Sequence, residues 1–392
     1  MLKNGIIWIT GLAIALFSGL VAMGAIAKNK VPELAVSIQP VNGFASQTLA
    51  SNFLKAAVAA SEGQFPETID PAMKDVARHA FLSEPITPEA IAVLALGSAE
   101  DNKRELMQEA FALSRRERLI TGWMIADSGA REDIPAILGY YDTMLRTSSS
   151  AASAVIPMMA GALADENFVE PFASLLKKNP PWARRFWGAV VATPEAVGNA
   201  ARLRELLYTA NEEKENYRDA PLISALVRIK QFEEAVNLFQ LLEGQEKTDS
   251  LLHNGSFESA PQYPPLDWQI FSTGEYGAAI TKGKLQLSAI ANSGGLFARQ
   301  LVKLPAEVVT ISVKSQSGIP DGANIFLNIS CAEALNNAPQ RIRIRLSGKS
   351  TNQQISNEQS GCSFYWLDII GRASESGSGF DVGLESLSLR IT

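Results

Sequence analysis

Three kinds of hydrophobic patterning succeed one another along the 392-residue chain. From Gly5 to Ala27 the run GIIWITGLAIALFSGLVAMGAIA is apolar and carries no charge. From about residue 47 to Glu243 apolar positions recur at helical spacing, with alanine, leucine and glutamate dominant and few β-branched runs. Beyond Leu251 the spacing changes to short alternating segments bounded by Gly, Pro, Asn and Ser. The pattern predicts a multi-domain α-then-β protein. Residues 1–30 form an N-terminal transmembrane anchor, 31–46 a linker, 47–247 a helical repeat domain of α-solenoid type, and 250–392 an antiparallel β-sandwich of jelly-roll type.

As a helix, the stretch 5–27 reaches roughly 34 Å, enough to cross the hydrocarbon core of a bilayer. It reads as a membrane span or a signal sequence. Ala25-Ile26-Ala27 has the small-x-small form of a cleavage site, but the apolar run exceeds the roughly 7–15 residues of a cleaved signal. An uncleaved signal anchor is therefore the expectation. Lys3 is opposed by Lys28 and Lys30, so flanking charge does not set orientation.

Within the helical stretch, turn signals recur at Glu62–Pro66, Glu84–Pro88, Thr147–Ser153, Asn179–Pro181 and Thr193–Pro194. Second helices of successive hairpins are expected at Glu105–Arg116, Ile134–Leu145, Phe168–Pro180, Ala201–Ala210 and Phe232–Leu242, with starts spaced by about 29–34 residues. The small-then-aromatic pairs Ala136/Tyr140 and Ala235/Phe239, and Phe168/Phe172 with Pro180 closing its unit, resemble the second helix of tetratricopeptide repeats over about 150 residues. The first helices lack that family's Trp-Leu-Gly-Tyr signature. Stacked hairpins bury a continuous core and leave a surface that binds polypeptide, so the resemblance implies a protein partner. In PPWARRFWGAV, Trp182, Phe186 and Val190 fall on one helical face and are expected in the core, with Arg184 and Arg185 solvated.

Nine alternating runs are expected as strands: Trp268–Ser272, Ala278–Gly283, Lys284–Ile290, Leu296–Leu304, Glu307–Ser317, Asn324–Cys331, Gln340–Gly348, Ser363–Arg372 and Leu384–Ile391. Ahead of them stands Asn254-Gly255-Ser256-Phe257-Glu258, then a Pro-rich turn and Trp268. This start and the closing strand Gly383–Leu389 resemble jelly-roll, galactose-binding-like carbohydrate-binding modules. The resemblance implies a polysaccharide ligand and a structural calcium held near the first motif and on the last strand, which carries over to Glu258 and Glu385. Ser386 replaces the second acid of the usual closing pair, which puts the calcium in doubt. Phe257 and Trp268 are expected in the core. Stacking on sugar rings is expected of exposed aromatics. Tyr263 and Tyr276 lie in turn-like contexts. In SFYWLDI, alternation puts Phe364 and Trp366 on one face and Tyr365 on the other, one set core and the other exposed, and Tyr365 is taken with the ligand-binding candidates.

Composition narrows the function. Net charge is −6 and there is no long basic block, which excludes a nucleic-acid partner. His79 and His253 are the only histidines and read as surface or capping residues. Cys331 and Cys362 are the only cysteines. Both fall in the β region, which suits an intradomain disulfide in an oxidising compartment, worth roughly 3–4 kcal/mol; two unpaired buried thiols are the alternative. No pair of carboxylates stands out for glycoside chemistry, so the chain reads as non-enzymatic with no cofactor beyond that calcium. Anchor, helical repeats and a two-cysteine β domain together resemble proteobacterial envelope proteins associated with surface-polysaccharide loci. The resemblance implies an inner-membrane, single-pass protein with its bulk in the periplasm. Anchor, helical repeats and β domain together read as an adaptor that binds protein and glycan, with a purely structural scaffold or a glycan-active enzyme as alternatives.

Overall fold

A computed structural model describes residues 2–208, 218–243, 250–333, 341–356, 361–375 and 379–392, the side chains of 2–7, 101 and 341 excepted. It divides into two compact units, Met1–Val155 and Ile156–Thr392. The change from helical to alternating periodicity near residue 250 is therefore not a division between compact units.

The first unit opens on α1 (Leu2–Ala27), whose Trp8–Ala27 stretch is long and apolar enough to cross a membrane, as a signal sequence would also be. Residues 31–46, expected as a linker, instead hold α2 (Pro32–Ile38) and the start of α3 (Gly43–Ala60). Then come α4 (Pro71–Ser83), α5 (Pro88–Leu96), α6 (Glu100–Leu113), α7 (Arg118–Ala130) and α8 (Ile134–Thr147). Starts are set locally. Asn42, Asp70 and Asp133 accept from the backbone N–H groups of Ala45, Ala72 and Ala136, and proline occupies the first turn of α2, α4, α5 and α8. The core mixes small and large side chains, among them Ala77, Ala80, Leu54, Met107, Ile120 and Trp123.

The second unit begins within α9 (Ala152–Ala162) and continues through α10 (Val169–Leu176), α11 (Ala183–Val191), α12 (Val197–Leu207), α13 (Asp219–Arg228) and α14 (Phe232–Glu243). The five segments expected as second helices fall on α6, α8, α10, α12 and α14, every second helix; residues 209–210 of the fourth lie outside the described residues. Trp182, Phe186 and Val190 are buried and Arg184 and Arg185 exposed, as the helical face required. Phe186 stacks on Phe172 at 4.9 Å. Between α12 and α13 the fully buried Arg204 donates to Asp219 at 2.8 and 3.1 Å.

The β-sandwich comprises β1 (Gln269–Ile270), β2 (Tyr276–Thr281), β3 (Lys284–Ala289), β4 (Gly294–Lys303), β5 (Val309–Ile319), β6 (Ala323–Cys331), β7 (Arg341–Arg345), β8 (Gly348–Ile355), β9 (Phe364–Ala373) and β10 (Phe380–Ile391). Gln340, the expected first residue of the seventh run, lies outside the described residues. All pairings are antiparallel. Sheet A has the order β1-β4-β9-β6-β7 and sheet B the order β2-β3-β10-β5-β8. Leu285, Leu287, Phe297, Ile325, Leu327, Leu367, Ile369, Leu384 and Leu389 fill the space between the sheets. The Asn-Gly-x-Phe segment closes one end. The Asn254 side chain bonds both ways with the Ser259 backbone, the Trp268 indole donates to the Asn254 carbonyl at 3.1 Å, and Phe257 and Trp268 are fully buried against each other. Helices and sandwich meet inside this unit. Phe232 packs on Phe364, Lys303 pairs with Glu233 at 2.7 Å, and Ser224 donates to the Pro264 carbonyl at 2.7 Å.

Candidate functional site

The residues singled out from sequence do not converge. Tyr263, expected to stand out of its Pro-rich turn, is 5% exposed, because α14 lies over that turn and Phe239 meets its ring edge-on at 6.0 Å. Burial, with the Asp219 and Glu243 carboxylates adding to it, pushes its phenol up to about 12. Tyr365 is also removed from solvent. It lies on the core face, 3% exposed, and its hydroxyl donates to the Cys362 carbonyl at 3.1 Å. Tyr276 is half-buried on the edge strand β2, packs edge-to-face on Phe297 at 5.3 Å, and lines a hollow of about 690 Å³ together with Glu275, Gln286 and Asp381. Of the three tyrosines it alone keeps a surface that a ligand can reach.

Cys331, at the end of β6, and Cys362, just before β9, are joined in a disulfide with their Cα atoms 6.0 Å apart. The neighbouring Glu333 carboxylate accepts from the Ser363 backbone N–H at 2.7 Å.

Glu258 and Glu385 do not fit a calcium site. Both are exposed, and neither belongs to a group of three or more carboxylate, histidine or cysteine ligands among the described residues. Glu258 lines a polar hollow with Lys314 and Arg390, whose charges oppose a divalent cation, and Glu385 is not part of that lining.

What the fold assembles instead is the outer face of sheet A. Antiparallel register aligns Gln269, Arg299, Asp368, Asn328 and Arg343 in one row across β1, β4, β9, β6 and β7. Period-two alternation sends all five to the side opposite the core. Arg299 grips Asp368 through two bonds of 2.6 and 2.9 Å, so the row's centre is a fixed fork-to-carboxylate pair. Beside it, Asn328 is 4% exposed, and among the described residues its side-chain oxygen has no hydrogen-bond partner. Half-buried aromatics flank the row. Trp366, one step along β9, has the Arg299 guanidinium over its ring at 4.8 Å, and Phe326 on β6 carries the Arg343 guanidinium at 3.7 Å. Phe364 begins the same face and is covered by Phe232.

Sequence alternation had placed Phe364 and Trp366 on a common face, but it gave no strand register. Phe326 was among the aromatics available for stacking, but the contributions of Arg299, Asn328 and Arg343 were missed. The one available signal was RIRIR at residues 341–345, in which every second position is arginine.

A second cavity of about 870 Å³ lies between α14 and β4, walled by Phe239, Leu251, Leu301 and Leu304. Gln300, 1% exposed, borders it, and its side-chain oxygen has no partner among the described residues.

No family model matches the chain, and no curated protein matches it. Solved structures similar to part of it are carbohydrate-binding module domains. One is a CBM4 structure, at 15% identity over 36% of this chain and 99% of that chain, TM-score 0.27. Another is a CBM61 domain in complex with β-1,4-galactotriose, at 17% identity over 36% and 99%, TM-score 0.25. A third is the CBM22-1 xylan-binding domain from Paenibacillus barcinonensis Xyn10C, at 16% identity over 35% and 91%, TM-score 0.25. Likenesses of this size bear on neither ligand nor activity.

Proposed function

We propose that the chain is a non-enzymatic glycan-binding adaptor. In this reading α1 anchors it in the inner membrane, the bulk stands in the periplasm, the outer face of sheet A takes a glycan, and the helices dock a protein partner during surface-polysaccharide assembly. The observation that carries the reading is the row Gln269, Arg299, Asp368, Asn328, Arg343 flanked by Trp366 and Phe326. A pyranose offers C–H groups on its faces and hydroxyls around its rim. Aromatic rings suit the first, and planar polar side chains fixed by one another suit the second. Asp368, held by Arg299, is the sole carboxylate among the described side chains of this face, and the non-enzymatic reading is consistent with that.

A glycan array probed with the full chain in neutral detergent tests the reading. Binding to envelope-type polysaccharides that Trp366→Ala abolishes is the expected result. The purely structural alternative draws on the contacts of Phe232 with Phe364 and of Glu233 with Lys303, through which the sandwich serves as a packing base for helices. It predicts no binding on any array. Docking of a protein partner is tested by affinity capture from solubilised membranes, in which the full chain returns a reproducible partner that residues 156–392 alone do not.

A further inference from the structure

We infer that the glycan is acidic: a polysaccharide whose sugars carry carboxylates, held by the arginines of β7 and β9. This rests on the outer face of sheet A being the glycan face. The chain as a whole is anionic, with a net charge of −6, yet this face is cationic. Its one described carboxylate, Asp368, is taken up by Arg299. Arg343, Arg345 and Arg372 are all exposed, and among the described residues none of the three forms an ion pair.

Their partners are neutral and hold them without cancelling their charge. Arg343 lies over the Phe326 ring, Arg345 donates to the Asn324 side-chain oxygen at 3.2 Å, and Arg372 donates to the Asn292 side-chain oxygen at 2.9 Å. A guanidinium steadied through one edge keeps its remaining N–H groups for a planar anion, and a carboxylate is the anion its fork fits. Arg343 and Arg345 sit two residues apart on one strand, roughly 7 Å, so they present paired forks along one border of the aromatic row.

An edge strand also uses charge to discourage pairing with other chains, and β7 is the edge of sheet A. That role accepts either sign and needs no neutral neighbours to orient the charge. It also does not account for Arg372, which lies on the central strand β9.

The test compares polygalacturonate with its carboxyl-reduced polymer, using the full chain in neutral detergent and isothermal titration. The acidic polymer should bind at least about tenfold tighter, the scale of one charge-assisted pair. The preference should shrink as salt is raised. Arg343→Gln with Arg345→Gln should bring the acidic polymer down to the level of the reduced one at an unchanged melting temperature. Should that pair fail to fold, Arg372→Gln alone gives the same readout in weaker form. Equal binding of both polymers, lost on Trp366→Ala, overturns the acidic preference and leaves the glycan face standing. Binding of neither these nor any other acidic or neutral polysaccharide overturns both. Displacement of polygalacturonate by a single-stranded oligonucleotide at lower concentration overturns the choice of a glycan.

Discussion

Phe232, the first residue of α14, packs against Phe364, the first residue of β9, with ring centroids 5.2 Å apart. Both rings are buried, so the pair joins the helices to sheet A within one core. Phe232→Ala should destabilise the second unit by about 3 kcal/mol. The adjacent ion pair of Lys303 and Glu233 is about half exposed on both sides. Glu233→Gln should therefore change stability by under about 1 kcal/mol. Urea midpoints of the two variants check the contrast, and equal losses would contradict the dominance of ring packing.

Gly255 permits the tight approach of the Asn254 turn to β10. A Cβ there would overlap the Leu387 carbonyl oxygen, while the Leu387 N–H donates to the Gly255 carbonyl at 2.8 Å. Backbone on both sides leaves little room for relief. Gly255→Ala should lose about 1–3 kcal/mol, and Ser256→Ala, at the exposed neighbouring position, within about 0.5 kcal/mol. Thermal melting of the two variants separates them.

The Tyr263 phenol, held up to about 12 against an ordinary value of 10.0, keeps its proton in the fold after the unfolded chain has begun to lose it. Its contribution is complete below pH 10 and is lost as pH rises through 12, on the order of 3 kcal/mol in all. Tyr263→Phe should flatten this alkaline decline. Urea midpoints measured from neutral to strongly alkaline pH test it, and a variant that declines as steeply as the native chain would refute the assignment.

The disulfide of Cys331 and Cys362 closes a loop with a sequence separation of 31. Replacing both residues with serine should lower stability by roughly 3–4 kcal/mol through the unfolded state. Denatured, unreduced protein should show no free thiol, and two thiols would contradict the bond.

Sequence patterning located elements wherever one face is buried. Leu285, Leu287 and Ala289 alternate with Gln286 and Ser288, and β3 was legible for that reason. β8 was not, because Ile355 is its one buried residue and a polar edge strand carries no period-two signal. The Asn254, Phe257 and Trp268 cluster was read correctly as turn and core, since glycine next to asparagine and large apolar residues have strong local meanings. Tyr263 was misplaced because turn composition implies exposure, whereas α14, some twenty residues earlier in the chain, covers it. The polar row of sheet A lay beyond reach for a related reason: Gln269, Arg299, Asp368, Asn328 and Arg343 meet through register across strands far apart in sequence.

On this proposal the outer face of sheet A holds glycan, with Trp366 as its stacking surface. Isothermal titration of the native full chain and of Trp366→Ala against polygalacturonate, alginate, galactan and xylan tests it most directly. The native chain is expected to bind at least one polymer, and Trp366→Ala to weaken that binding at least about tenfold with the melting temperature nearly unchanged. Undiminished binding by the variant, or no binding of any of the four by the native chain, would contradict it.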